Sequence, residues 1–273
     1  MINNLNNKEL IEELISISKE AGDAILKVYN SDFYYQIKDD LSPLTEADKL
    51  SNQIIYKRLK KLSPDIPILS EEDSNINYKV RSKWEKYWLV DPLDGTKEFI
   101  KKNGEFTVNI ALIQNTKPIL GVIYVPISNE TYWGSKKEGS FYSDGQKTLK
   151  IKVRKKDNKC LTILSSRSHP SVELHDFIKK FKEPEIIQKG SSLKLCLLAA
   201  GKGDIYPRLS PTSEWDIAAG HSILLGSGGN IYDLKGQQIT YNKKSSFLNS
   251  DFLAVTSKKL FTEIIMHLNF IKQ

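Results

Sequence analysis

The chain has 273 residues, 40% of them hydrophobic and 27% charged, with a formal net charge of +7. That length and apolar content suffice for a substantial core, built as one large domain or two tightly packed halves, and exclude a disordered or fibrous polypeptide. No stretch approaches the roughly 20 apolar residues that a membrane-spanning helix needs, and the Asn-rich start carries no signal-peptide core.

In chain order, Leu10, Leu14, Ile17, Ala21, Ala24, Ile25 and Val28 share one face of a helix predicted over Lys8 to Tyr29. A second helix is predicted from Thr45 to Leu62, stopped near Ser63-Pro64 because the residue before a proline avoids the helical region. Strands are expected at Ile66 to Leu69, Tyr87 to Val90, Thr107 to Gln114, Ile119 to Val125 and Thr131 to Gly134, with Asp144-Gly145 as a turn. This first half reads as α+β. From about Lys159 strand and helix alternate: Leu161 to Ser165, Val172 to Phe181, Leu193 to Ala200, Asp204 to Arg208, Trp215 to Leu225 and a last helix near Lys258 to Asn269. The charged stretch Arg154 to Asn158, which has no apolar residue, marks the expected division into 1–155 and 156–273. Gly226-Ser227-Gly228-Gly229 follows an apolar helix and reads as its C-cap and loop, without the strand-before-helix context of a dinucleotide fingerprint.

The basic residues come as scattered pairs such as Lys60-Lys61, Lys136-Lys137, Lys179-Lys180 and Lys258-Lys259, which read as solvated faces. Neither an aromatic-interleaved RNA-binding signature nor zinc-finger spacing accompanies them, so nucleic-acid binding is not expected as the main function. Part of the charge would instead draw in polyanionic small substrates, or hold the protein weakly at the inner face of a membrane. Of the two cysteines, Cys196 lies in the apolar run Leu195 to Ala200 and is expected to be a buried free thiol. A reducing, cytoplasmic setting fits.

The chemistry concentrates in Asp91-Pro92-Leu93-Asp94-Gly95-Thr96. Two carboxylates, a carbonyl and a hydroxyl stand at the end of a buried strand, where Pro92 is expected to force a turn. Gly95 lets the backbone approach a ligand closely, and the amides of Gly95 to Lys97 precede the first bonded amides of a helix, a setting suited to an anion. Hard oxygen donors beside an anion cradle imply magnesium and phosphate. The plain structural alternative is a turn and a helix cap. A second acidic cluster, Ser70-Glu71-Glu72-Asp73, follows another short apolar run, so two strands end in carboxylates that can converge beyond a sheet edge. Asp216, in Trp215-Asp216-Ile217-Ala218-Ala219-Gly220, opens a third candidate element, with an N-cap as its alternative role. Thr45-Glu46-Ala47-Asp48 is close to a capping box. His221, on the Ala-rich helix, reads as a structural histidine.

Together, Leu44-Thr45-Glu46-Ala47-Asp48, Glu71-Glu72, Asp91 to Thr96 and Trp215 to Gly220 resemble the lithium-sensitive, magnesium-dependent phosphomonoesterases of the inositol monophosphatase superfamily, which include fructose-1,6-bisphosphatase. The resemblance covers nearly the whole chain. Within that superfamily, Trp88 to Ala111, Ser166-Arg167-Ser168-His169, Gly190 to Lys194 and Tyr206-Pro207-Arg208 most resemble the bacterial 3′(2′),5′-bisphosphate nucleotidases. It implies a sugar-phosphatase-like layered sandwich of alternating helices and sheets, with the metal site between the halves. It also implies two or three magnesium ions, one held by Glu71, Asp91 and the Leu93 carbonyl, another by Asp91, Asp94 and Asp216. Thr96 and Asp48 match the dyad that orients the attacking water. Glu72 is left outside the ligand set, as an orienting or exposed neighbour. Gly95, Thr96, His169, Ser191, Lys194, Arg208 and Asp216 match the substrate-binding positions, with Lys194 and Arg208 suited to a phosphate that is not cleaved; surface charge is the alternative for both. The implied reaction releases the 3′-phosphate of adenosine 3′,5′-bisphosphate, with inositol monophosphates or fructose bisphosphate as alternative substrates and the oligomeric state open.

Two other phosphatase chemistries fit poorly. An aspartyl-phosphate mechanism uses Asp-x-Asp-x-Thr, but two residues separate Asp91 from Asp94. A cysteine phosphatase needs an arginine after five intervening residues, and here six lie between Cys160 and Arg167. A phosphate-sensing or nucleic-acid-binding module without catalysis is the remaining alternative, and it requires that the acidic groups fail to converge.

Overall fold

Hydrophobic stripes sort the chain into layers. The computed structural model describes residues 7–37, 43–155, 160–168 and 171–270. In order these form α1 (Asn7–Tyr29), β1 (Tyr35–Ile37), β2 (Pro43–Thr45), α2 (Glu46–Leu62), β3 (Ile68–Ser70), α3 (Tyr78–Arg81), β4 (Lys86–Asp94), α4 (Thr96–Ile100), β5 (Thr107–Gln114), β6 (Lys117–Val125), β7 (Glu130–Ser135), β8 (Gly139–Ser143) and β9 (Thr148–Ile151). The second half continues with β10 (Thr162–Ser166), α5 (Val172–Ile178), β11 (Glu185–Lys189), α6 (Leu193–Ala199), β12 (Ile205–Arg208), α7 (Glu214–Ser227), β13 (Asn230–Asp233), β14 (Phe252–Val255) and α8 (Lys258–Phe270).

Strands β3 to β9 lie side by side in sequence order as a seven-stranded sheet, and the second sheet runs β11-β10-β12-β14-β13. Because successive strand residues face opposite sides, Trp88 and Val90 of β4 pack with α1 and α2, whereas Tyr87 and Leu89 pack with α6 and α7. The second sheet closes over those two helices with Leu164, Tyr206 and Ala254, and turns Ile163, Leu253 and Val255 outward onto α5 and α8. Helix and sheet layers therefore alternate five deep, as the resemblance implies. The two halves predicted from the sequence share one core cluster through α7, and the expected boundary abuts residues 156–159, which lie outside the described residues.

Helix α7 is apolar on nearly every side, as a helix between two sheets must be. Its seat is unusually close. A Cβ on Gly121 of β6 would lie 2.2 Å from the Ala219 carbonyl oxygen and 2.8 Å from its Cα, so only glycine admits the helix backbone there.

The structure departs from the expected turn at Pro92. Strand β4 runs on to Asp94, and its register with β5 shifts between Asp91, opposite Asn109, and Asp94, opposite Thr107. Three steps on β4 face two on β5, which is a bulge, and a bulge tolerates a proline that lacks an N–H. The predicted helix Val172 to Phe181 ends at Ile178, with Lys180 and Phe181 continuing as tight turns.

Candidate active site

Strands β3 and β4 pair in parallel, Ser70 opposite Val90, so Glu71 and Asp91 leave the sheet at the same edge. Glu71 sits in a short 3-10 turn (Glu71–Asp73), and the β4 bulge carries Asp91 and Asp94. Asp48 comes from the first turn of α2 and Asp216 from the first turn of α7. The four neighbours act on Asp91: burial first, then Glu71, Asp94, Asp216 and Asp48, push its carboxyl well above the usual carboxylate range. Asp216 is likewise pushed up to about 6, by burial and then by Asp94. The acidic groups converge, against the non-catalytic alternative.

Three of these carboxylates are anchored in the same manner, through Oδ2. Asp48 Oδ2 accepts from the Thr45 amide at 2.7 Å and hydroxyl at 2.6 Å, completing a capping box. Asp216 Oδ2 accepts from Thr212 Oγ1 and the Ser213 amide, both at 2.9 Å. It is thus the third helical residue of a capping box opened by Ser213, and not itself the N-cap considered from the sequence. Asp94 Oδ2 accepts from Ser191 Oγ at 2.7 Å, the Ser192 amide at 2.6 Å and Asn109 Nδ2 at 3.3 Å. Behind that contact Thr107 Oγ1 links Ser191, Ser192 and Asn109 in one buried network. Asp48 turns its other oxygen, Oδ1, to Thr96 Oγ1 at 3.2 Å, so cap and predicted dyad coexist. The Thr96 hydroxyl also lies 3.3 Å from the Leu93 carbonyl oxygen.

Among the described residues no three acidic, histidine or cysteine side chains are gathered as a ready-made ligand cage. The donor set nonetheless fits a hard divalent cation. Its members are all oxygens, and after burial the strongest influences on Asp91 are the carboxylates of Glu71, Asp94, Asp216 and Asp48, a mutual repulsion of the kind a divalent ion relieves.

Facing the carboxylates is a cavity of about 190 Å³ lined by Gly95, Thr96, Ser191, Lys194, Arg208 and Asp216 among others. Gly95 holds φ +90° where β4 passes into α4, and a Cβ there would crowd the Glu105 carbonyl oxygen at 3.1 Å. Lys194 is buried, against the surface-charge alternative. Its ammonium donates to the Lys189 and Ser191 carbonyls and lies 5.4 Å from the centre of the Tyr206 ring. Burial lowers it to about 8, with Asp94 opposing and Arg208 adding to the shift. Arg208, on β12, donates through Nη2 to the Pro211 carbonyl at 2.7 Å, while its buried Nε has no partner among the described residues. His169 lies outside the described residues. His221 is satisfied on both ring nitrogens, by Tyr241 and Asn230, and is structural.

Glu105, which sequence reasoning left without a role, clamps the loop that carries Ser191. Its carboxylate takes two bonds from Arg167, at 2.8 and 3.0 Å, one from Lys189 at 3.0 Å and one from the Gly190 amide at 2.7 Å. Burial alone raises its pKa, but these donors win and hold it at about 2. A folded pKa below the unfolded 4.5 means the charged clamp stabilises fully above 4.5 and is lost as pH falls toward 2. Glu105→Gln should therefore unfold at lower denaturant than the parent at pH 7, with the gap closing between those two pH values. A gap of constant size in chemical denaturation across that range would assign the loss to packing.

An acid-lined edge of a layered sandwich, opposite a lysine and an arginine, defines a phosphate-handling class of protein. The chain belongs to the inositol monophosphatase family, whose model it matches over residues 6–273. It is 43% identical over 245 residues to the 3′(2′),5′-bisphosphate nucleotidase CysQ of Salmonella typhimurium, covering 89% of this chain and 98% of that protein. The CysQ of Buchnera aphidicola is 44% identical over 261 residues, 93% of this chain and 96% of that one. Among solved structures, CysQ from Bacteroides thetaiotaomicron superposes with a TM-score of 0.82 at 37% identity, over 93% of this chain and 99% of that one. No helix among the described residues is long and apolar enough to cross a membrane.

Proposed function

We propose that the chain is a magnesium-dependent 3′(2′),5′-bisphosphate nucleotidase that hydrolyses the 3′-phosphate of adenosine 3′,5′-bisphosphate to give AMP and phosphate. The observation that carries this reading is the convergence of Glu71, Asp91, Asp94, Asp216 and Asp48 beside a cavity that holds Lys194 and Arg208. It agrees with the activity named for the CysQ relatives.

Phosphate monoesters call for accelerations up to ~10²¹, whereas one positioned acid or base contributes about 10²–10⁴. Glu71, Asp91 and the Leu93 carbonyl would hold one ion, and Asp91, Asp94 and Asp216 another, with a total of two or three per site. When bound, the ions polarise the phosphoryl oxygens, ease deprotonation of water and stabilise the leaving alkoxide. The chain's own groups do the rest. Thr96, donating its proton to Asp48, presents its oxygen lone pairs to accept a hydrogen bond from the attacking water and so fixes its direction. The Oδ2 anchors hold the carboxylates in place against their mutual repulsion. Gly95 admits the phosphate close to the backbone, and Arg208, with its unpartnered Nε, meets the phosphate that stays, beside Lys194. His169 is assigned to the nucleoside by resemblance alone.

The test is phosphate release from adenosine 3′,5′-bisphosphate, its sulfated form, inositol monophosphate and fructose 1,6-bisphosphate, each with magnesium and with chelator. Preference for inositol monophosphate would refute the nucleotide assignment and leave the metal chemistry standing. Release unaffected by chelator would refute the metal chemistry. Arg208→Ala should weaken kcat/KM for the bisphosphate by about 10- to 150-fold, mostly through KM, since a charge-assisted hydrogen bond is worth roughly 1.5–3 kcal/mol. A monophosphate should barely notice. Lys194→Ala should hurt both substrates, because its ammonium also holds the Ser191 carbonyl and through that residue Asp94. Equal losses on both substrates for Arg208→Ala would place that arginine at the scissile phosphate instead.

A further inference from the structure

A second cavity, of about 510 Å³, lies at the far end of the elements that carry the carboxylates. Lys86 opens β4, whose other end bears Asp91 and Asp94; Leu112 stands late on β5 and Leu225 late on α7, which begins beside Asp216. The volume falls within the roughly 300–1,000 Å³ usual for small-molecule sites. None of the described residues lines both this cavity and the one described above.

Its chemistry is two-sided. Leu10, Leu112, Leu120, Leu225 and Ile239 supply an apolar lining. The polar groups among them are already satisfied: His221 Nε2 meets Asn230 Oδ1 at 2.9 Å and Nδ1 meets the Tyr241 hydroxyl at 2.9 Å. Burial lowers this histidine to about 4, so the interior is uncharged at neutral pH. The charge is at the rim, where Lys86, Lys117, Lys136 and Lys137 gather around one acid, Glu138, which is itself bonded to Asn7. Among the described residues none of the four ammonium groups is ion-paired, and three of the lysines are exposed. Four like charges around an apolar mouth favour an anion there. The saturated histidine and asparagine ask for no polar group deeper in.

We propose that this cavity binds a small amphipathic organic anion, its aliphatic or aromatic body among the leucines and its carboxylate or sulfonate at the lysine rim. The proposal goes beyond the phosphatase reading and does not depend on it.

The probe is 8-anilinonaphthalene-1-sulfonate, titrated into the full chain and followed by fluorescence. Saturable binding with one site is expected, weakened by added salt. The double variant Lys117→Glu, Lys137→Glu should weaken it by about tenfold or more, because two attractive charges become repulsive. The milder Lys117→Gln, Lys137→Gln should give an intermediate loss, and Gln238→Trp, at an exposed lining position, should fill the mouth and weaken binding as well. All three variants should keep the parent's phosphate release and thermal midpoint. Decanoate should displace the probe, and inorganic phosphate at equal concentration should not. Unchanged affinity in both charge variants would overturn the proposal. So would displacement by inorganic phosphate or AMP, which would put the probe in the carboxylate site or make the rim a plain anion site.

Discussion

Asp91→Asn is expected to lower phosphate release by at least ~10³-fold while raising thermal stability in chelator. Both effects come from one charge. Asp91 is buried, and after burial the strongest influences on it are four other carboxylates, so its ionised form costs folding energy whenever no cation offsets it. An amide is nearly isosteric and its oxygen can still accept the Leu93 amide, 3.1 Å away, so the bulge should survive. What disappears is the charge shared by both proposed ion positions. Thermal melts in chelator should show the variant above the parent, and magnesium should raise the parent far more than the variant. Near-parental turnover at limiting magnesium would sink the metal assignment. A variant less stable than the parent in chelator would instead sink the repulsion argument.

Thr96→Ala should cut kcat by about 10²–10⁴ with little change in KM or in unfolding midpoint. Thr96 is the cleaner probe of the dyad, because Asp48 does two jobs. Its Oδ2 closes the capping box of α2 while Oδ1 takes the Thr96 hydroxyl. Asp48→Asn should therefore show the same kcat loss and in addition lose roughly 1 kcal/mol of stability from the cap. Since the two residues act as one unit, the double variant should be little slower than the worse single one. Steady-state rates per folded molecule decide the matter. Losses that multiply would mean that threonine and aspartate act separately.

The long amphipathic elements were legible because their spacing is dictated by burial alone. Helix α1 buries Leu10, Leu14, Ile17, Ala21, Ile25 and Val28 as its period requires. The acidic motifs were legible too, since each follows a strand or opens a helix within a few residues. Strands β8, β9, β11, β13 and β14 were not read from the sequence. Each spans four or five residues and is defined by its neighbours in the sheet. At Pro92 a local rule gave way to tertiary pairing with β5. The supports of the site were hidden for a different reason: Ser191 and Ser192 reach Asp94 across 97 and 98 positions, and Glu105 reaches Gly190 across 85. Surface charge stayed open as the alternative for Lys194 because a lysine in a leucine-rich run gives no hint that it is buried with main-chain carbonyls as partners.

Gly121 has no chemistry to offer, yet it fixes how deep α7 lies. With the Ala219 backbone already within reach of any added carbon, a methyl group there must lift the helix, and Asp216, three residues earlier, would move with it. A displacement on the order of 1 Å is enough to cost about 10²-fold in rate. Gly121→Ala should thus yield a folded protein slowed by about 10²-fold, whose defect lies in no group that meets substrate. Natural selection on hydrolysis reaches a glycine in the middle of a sheet, and an inventory of inactivating changes, taken by itself, would confuse spacers with reagents.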